Sequence, residues 1–191
     1  MQKILIISSL FLFSFFTQLN AVENKPASYP LMSMTDTNGK TYKVQGTKEG
    51  LNIEGLEGKV IFLEFFGHRC PPCLASIPHL ITLQKKYKDT LAIVSIEVQG
   101  YNKTQLAKFV KDKKINYTVI PEETASELVS YIQQGAQWKG SIPFLVALDT
   151  KGHVQFVQAG MLPEESLEEL IKDLSIKPKI KTKKTIEKSS K

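Results

Sequence analysis

Residues 65–78 read Phe65-Phe66-Gly67-His68-Arg69-Cys70-Pro71-Pro72-Cys73-Leu74-Ala75-Ser76-Ile77-Pro78, and Cys70 and Cys73 are the only cysteines among 191 residues. An apolar run from Lys59 to Phe66 leads into this stretch, and Leu74, Ile77, Leu80, Ile81 and Tyr87 follow it at helical spacing. The run reads as a strand buried on both faces, and the spacing after it reads as a helix. The cysteines therefore stand at a strand-to-helix junction, Cys70 at the helix N-terminus and Cys73 one turn inside. Pro71 and Pro72 suit a first turn, where a missing N–H costs no helical bond. A helix N-terminus offers unpaired N–H groups and positive potential, both favouring thiolate over thiol. With His68 and Arg69 adding charge on an exposed flank, the sequence predicts a depressed pKa for Cys70. The helix end is the main cause and Arg69 the second.

Metal, staple and reagent are the three uses open to such a pair. Zinc sites usually add a second close ligand pair, which His68, His79 and His153 do not supply, so no metal and no cofactor is expected. A bridge across a two-residue loop removes little entropy from the unfolded chain, so it is a poor staple. A reversible dithiol remains. An exposed Cys70 is expected to attack a disulfide and a sheltered Cys73 to resolve the mixed disulfide.

Location bears on that reading. Met1-Gln2-Lys3, the apolar stretch Ile4 to Phe16 and the small residue Ala21 have the order of a secretory signal cleaved near Ala21. An uncleaved N-terminal membrane anchor is the alternative, although the run is shorter than the ~20 apolar residues of a spanning helix. The expected organisation is a signal at 1–21, one folded domain at 22–175 and a lysine-rich disordered tail at 176–191. Seven of the tail's sixteen residues are lysine, whereas 22–175 holds seventeen basic and eighteen acidic residues. The basic balance thus belongs to the tail. A nucleic-acid partner is not expected, since such domains spread Lys and Arg over a folded face and Arg69 is the sole arginine.

Elsewhere the periodicities alternate. Leu31–Thr35 and Thr41–Val44 read as a hairpin around Asn38-Gly39, the pair expected to supply positive φ angles. Leu91–Val98 reads as a second buried strand, Leu106/Phe109/Val110 and Ala125/Leu128/Val129/Ile132 as helices, Phe144–Leu148 and His153–Val157 as a strand pair. Pro163 opens a last helix lined by Leu167, Leu170, Ile171 and Leu174. The order is hairpin, β-α-β-α, a further helix, then β-β-α, an α/β sandwich around a mixed sheet.

The segment FFGHRCPPCLASIP, together with Gly140-Ser141-Ile142-Pro143-Phe144 before the last strand pair, resembles the thioredoxin superfamily, in particular its exported TlpA/ResA-like branch. The resemblance spans about residues 29–175. It implies a thioredoxin-like fold, with a central mixed β-sheet flanked by helices and an N-terminal β-hairpin. It also implies a cis Ile142-Pro143 bond that turns the Ile142 backbone toward Cys70, where an extended substrate can pair with Ile142 and Pro143. Arg69 stands where the family usually carries Trp, and Phe66 replaces another. Glu64, a lone carboxylate in the apolar strand, matches a buried carboxylate of thioredoxin that moves the proton of the resolving cysteine; a solvated strand-end residue is the other reading.

The implied activity is that of a periplasmic thiol–disulfide oxidoreductase reducing protein disulfides. Apocytochrome c or metal-site assembly proteins are the implied clients, a membrane thiol electron donor the implied source of electrons, and a monomer the expected state. A disulfide-forming oxidase and a non-catalytic chaperone or binding module with this fold are the alternatives.

Overall fold

The computed structural model describes residues 28–175. The expected export signal at 1–21 and the expected tail at 176–191 lie outside the described residues. The chain runs β1 (Leu31–Thr35), β2 (Thr41–Gly46), β3 (Leu51–Ile53), β4 (Val60–Phe66), α1 (Pro71–Lys86), β5 (Leu91–Glu97), α2 (Lys103–Lys113), β6 (Thr118–Pro121), a 3-10 turn, α3 (Ser126–Gly135), β7 (Phe144–Leu148), β8 (Val154–Ala159) and α4 (Glu164–Ser175). One sheet has the order β6-β5-β4-β7-β8. In it β4 pairs parallel with β5 and antiparallel with β7. The three N-terminal strands form a separate antiparallel sheet in the order β1-β2-β3.

Strand β4 lies at the centre and is buried at all seven positions, as its unbroken apolar run predicts. Its period of two sorts the core. Ile61, Leu63 and Phe65 pack with the three-stranded sheet and α3, whereas Val60 and Phe62 pack with Leu80 and Leu83 of α1 and Leu167 and Ile171 of α4. Burying a large apolar side chain stabilises the fold by roughly 1.5–3 kcal/mol, so this double-sided strand fixes where its C-terminal end, and hence Cys70, must lie.

Two strands escaped the sequence reading. β3 has three residues and β6 four, ending in Pro121, too few for a period to register, and proline in a strand confines it to an edge. The β1–β2 turn also differs from expectation. Only Gly39 has positive φ, at 91°, while the Asp36 carboxylate accepts from the N–H of Asn38 and of Lys40 at 2.8 and 2.9 Å. A side-chain acceptor thus shapes the longer turn in place of a second left-handed residue.

Candidate active site

Where β4 ends, Gly67, His68 and Arg69 carry the chain to α1. Cys70 is the N-cap of that helix, in extended conformation, with Pro71 and Pro72 at the first two helical positions. Its sulfur accepts the N–H of Cys73 at 3.3 Å, the bond that an N-cap oxygen makes in most helices. Cys70 and Cys73 form a disulfide. Cys70 is 6% exposed and Cys73 fully buried, so the order of access is the expected one but Cys70 is more sheltered than the sequence suggested. The shelter is apolar packing on Phe66, Leu106 and Val119, with Ile142 against the same cluster. The Ile142 carbonyl oxygen stands 3.8 Å from Cys70 Sγ, and the Ile142–Pro143 peptide bond is cis. Trp138 supports this loop from below, stacked on Phe144 with its Nε1–H donated to the Ser141 carbonyl at 2.7 Å.

Glu64 is 6% exposed on the face of β4 that meets α1. Burial pushes its carboxyl up from an ordinary 4.5 to about 7, against a smaller opposing effect of the Ser95 hydroxyl, which donates to Oε2 at 2.6 Å. Glu64 shares a hollow of about 30 Å³ with Ser76, Pro143 and Leu162. Ser76 follows Cys73 by one helical turn. A void of that size exceeds the ~10–15 Å³ one water needs; neither cysteine lines it, and Ser76 is its lining residue nearest to the dithiol along the chain.

His68 is not the exposed flank expected. Its side chain is 11% exposed, with Nδ1 at 2.8 Å from Oε1 of Glu97, and its ring stacks on Tyr101 at 3.5 Å between centroids. Glu97 itself is fully buried. Besides the imidazole, its carboxylate accepts the backbone N–H groups of His68 at 3.3 Å, Gln99 at 3.0 Å and Tyr101 at 2.9 Å. Gln99 Oε1 then accepts the Arg69 N–H at 2.8 Å. The Gln99 side chain lies so close to Gly67 that a Cβ there would meet it at 2.3 Å. The residues before Cys70 are thereby pinned one after another to the loop after β5, leaving the Arg69 side chain exposed. Sequence reasoning missed Glu97, Gln99, Tyr101, Ser95 and Ser76. Glu97 carried the same signal as Glu64, a lone carboxylate in an apolar run.

A sheet strand delivering two cysteines to a helix start, beside a cis-proline loop, defines the thioredoxin fold. The chain belongs to the Redoxin family, whose model matches residues 32–172, and with the Cys70–Cys73 pair this makes it a thioredoxin-like thiol–disulfide oxidoreductase. It is similar to thiol-disulfide oxidoreductase ResA of Halalkalibacterium halodurans, 26% identical over 124 residues that span 64% of this chain and 66% of that protein. It is also similar to ResA of Geobacillus kaustophilus, 25% identical over 166 residues, or 86% of this chain and 84% of the relative. The crystal structure of a thiol:disulfide interchange protein of the thioredoxin family from Chlorobium tepidum superposes with a TM-score of 0.62 at 23% identity, covering 80% of this chain and 98% of that one.

Proposed function

We propose that the protein works outside the cytoplasm, in the periplasm, as a reductant of protein disulfides, receiving its electrons from a membrane thiol donor and acting as a monomer. The observation that carries this reading is the Cys70 sulfur held as the cap of α1, accepting one N–H, beside the backbone carbonyl of Ile142. The Cys70 thiolate attacks one sulfur of the client disulfide, and the client's other sulfur leaves as a thiolate that takes a proton. The Cys73 thiolate then attacks Cys70 Sγ and releases the second client thiol. Two electrons pass from the dithiol to the client, and the protein is left with its own disulfide. Glu64 serves as the proton acceptor for Cys73 through water in the adjoining hollow, its pKa near 7 suited to exchange with a thiol. The half-buried Ile142 offers backbone against which an extended client lies as an added strand, and Pro143, which the sequence also suggested as a contact, is buried and holds that loop in place. His68 and Arg69 tune the dithiol, His68 through Glu97 and Arg69 by its exposed charge.

Apocytochrome c and metal-site assembly proteins are the client classes this reading favours, and an N-terminal signal cleaved near Ala21 is the route of export. The test is equilibration of the protein with glutathione and dithiothreitol couples. The expected potential lies toward the about −270 mV of thioredoxin, and a value near the about −120 mV of a strong oxidant overturns the reductant assignment. Cys70→Ser is expected to abolish reduction of a small disulfide, because Cys73 is fully buried; activity retained by that variant overturns the assignment of Cys70 as nucleophile.

A further inference from the structure

Of the carboxylates near the dithiol, two are buried and one is paired at the surface. Glu64 and Glu97 are buried, Glu97 is matched by His68 at 2.8 Å, and Glu164 is paired with His79 at 2.6 Å. On the β6 side Glu122 is half-exposed and close enough to Glu97 to repel it, but over the two segments that adjoin the dithiol the charge shown to solvent is cationic. Arg69 is exposed one residue before Cys70, and Lys139 is exposed three residues before Ile142, whose carbonyl touches the Cys70 sulfur at 3.8 Å. Neither cation has an ion-pair partner among the described residues. No acidic residue occurs from Gly67 to Cys73, or from Gln133 to Leu148. This contrasts with the near balance of charge over 22–175. The Arg69 backbone is fixed by its bond to Gln99, so the charge is presented from a set position rather than from a free loop.

Resting on the disulfide-reductase reading above, we propose that Arg69, assisted by Lys139, is a specificity determinant that selects client segments bearing Asp or Glu beside their disulfide. Arg69 adjoins Cys70 in the chain and Lys139 stands three residues before the Ile142 that touches its sulfur, so a client cystine docking at Cys70 comes within reach of both charges. Negative flanks meet attraction from both, and positive flanks meet repulsion. Complementarity of this kind acts mainly on encounter and on discrimination between partners, and it weakens as salt screens it.

The experiment uses the reduced full chain and three synthetic peptides that share one internal disulfide and differ only in flanks of aspartate, serine or lysine. At about 20 mM salt the aspartate peptide is expected to be reduced about fivefold faster in kcat/KM than the lysine peptide, shrinking toward parity at about 0.5 M salt. Arg69→Gln is expected to lower that ratio to about twofold, and Arg69→Lys to restore most of it. Because the ratio is read within each variant, a change in Cys70 reactivity cancels. Equal rates for the charged peptides, a preference indifferent to salt, or a ratio unmoved by Arg69→Gln overturns the proposal. Failure to reduce any peptide, the serine one included, overturns the reductase reading itself and the preference with it.

Discussion

Glu64 and Glu97 lie on neighbouring paired strands, both buried, and they are held in opposite ways. Glu97 sits at the end of β5 with three backbone N–H groups and an imidazole on its two oxygens. Glu64 sits inside β4 with one hydroxyl partner and a small hollow beside it. One carboxylate is spent on holding two loops together. The other keeps a proton that can be given up near neutral pH. Burial alone therefore does not tell what a carboxylate is for; the number of donors around it does.

The strongest way to break the comparison is Glu97→Ala. It strips the acceptor from three backbone N–H groups and the His68 ring, each unmade buried bond costing roughly 1–3 kcal/mol. A loss of about 4 kcal/mol or more in urea unfolding is expected, along with slower reduction of a small disulfide. A loss below about 1 kcal/mol would show that water replaces Glu97 without strain.

Glu64→Gln should act with the opposite sign. Below pH 4.5 the folded and unfolded carboxyl are both protonated, and the group costs nothing extra. As pH rises from 4.5 to about 7 the unfolded chain gives up its proton while the folded one keeps it, so wild-type stability falls through that window. Glutamine does not titrate. The variant should match wild type at pH 4 and exceed it by up to about 3 kcal/mol at pH 8, as read by paired urea melts. Stopped-flow exchange should show a slower Cys73 resolution step with the Cys70 attack less affected. Equal pH dependence in both proteins would place Glu64 in water rather than in the core.

A carboxylate on the surface sharpens the contrast from below. Glu54 lies 3.6 Å from Lys43 with both side chains largely exposed. Glu54→Gln should change stability by less than about 0.5 kcal/mol at any pH. A larger change in the same melts would mean that exposed pairs matter here as much as buried ones.

The sequence was informative where a signal was long or local. The unbroken apolar runs of β4 and β5 and the helical spacing after Cys73 placed the central strands, α1 and the dithiol, and Glu64 stood out as the charge that interrupts β4. Short pieces were silent, since the three residues of β3 and the four of β6 cannot display a period. Partnerships across distance were silent as well. His68 and Glu97 are 29 residues apart in sequence, and only the parallel pairing of β4 with β5, which sets Phe66 opposite Glu97, brings them together. That pairing turned an expected surface side chain into an internal one, leaving Arg69 as the exposed cation of the dithiol loop.

The start of α1 has one further property. A helix ordinarily leaves four N–H groups at its N-terminus to be hydrated. Here Pro71 and Pro72 have none, the N–H of Cys73 is given to sulfur, and that of Leu74 goes to the Cys70 carbonyl at 2.9 Å. No backbone donor in this turn is held by solvent. A visiting polypeptide can lie across the two exposed prolines without stripping water from a single amide, so the desolvation toll that usually opposes docking on a helix end is absent at the spot where sulfur must meet sulfur.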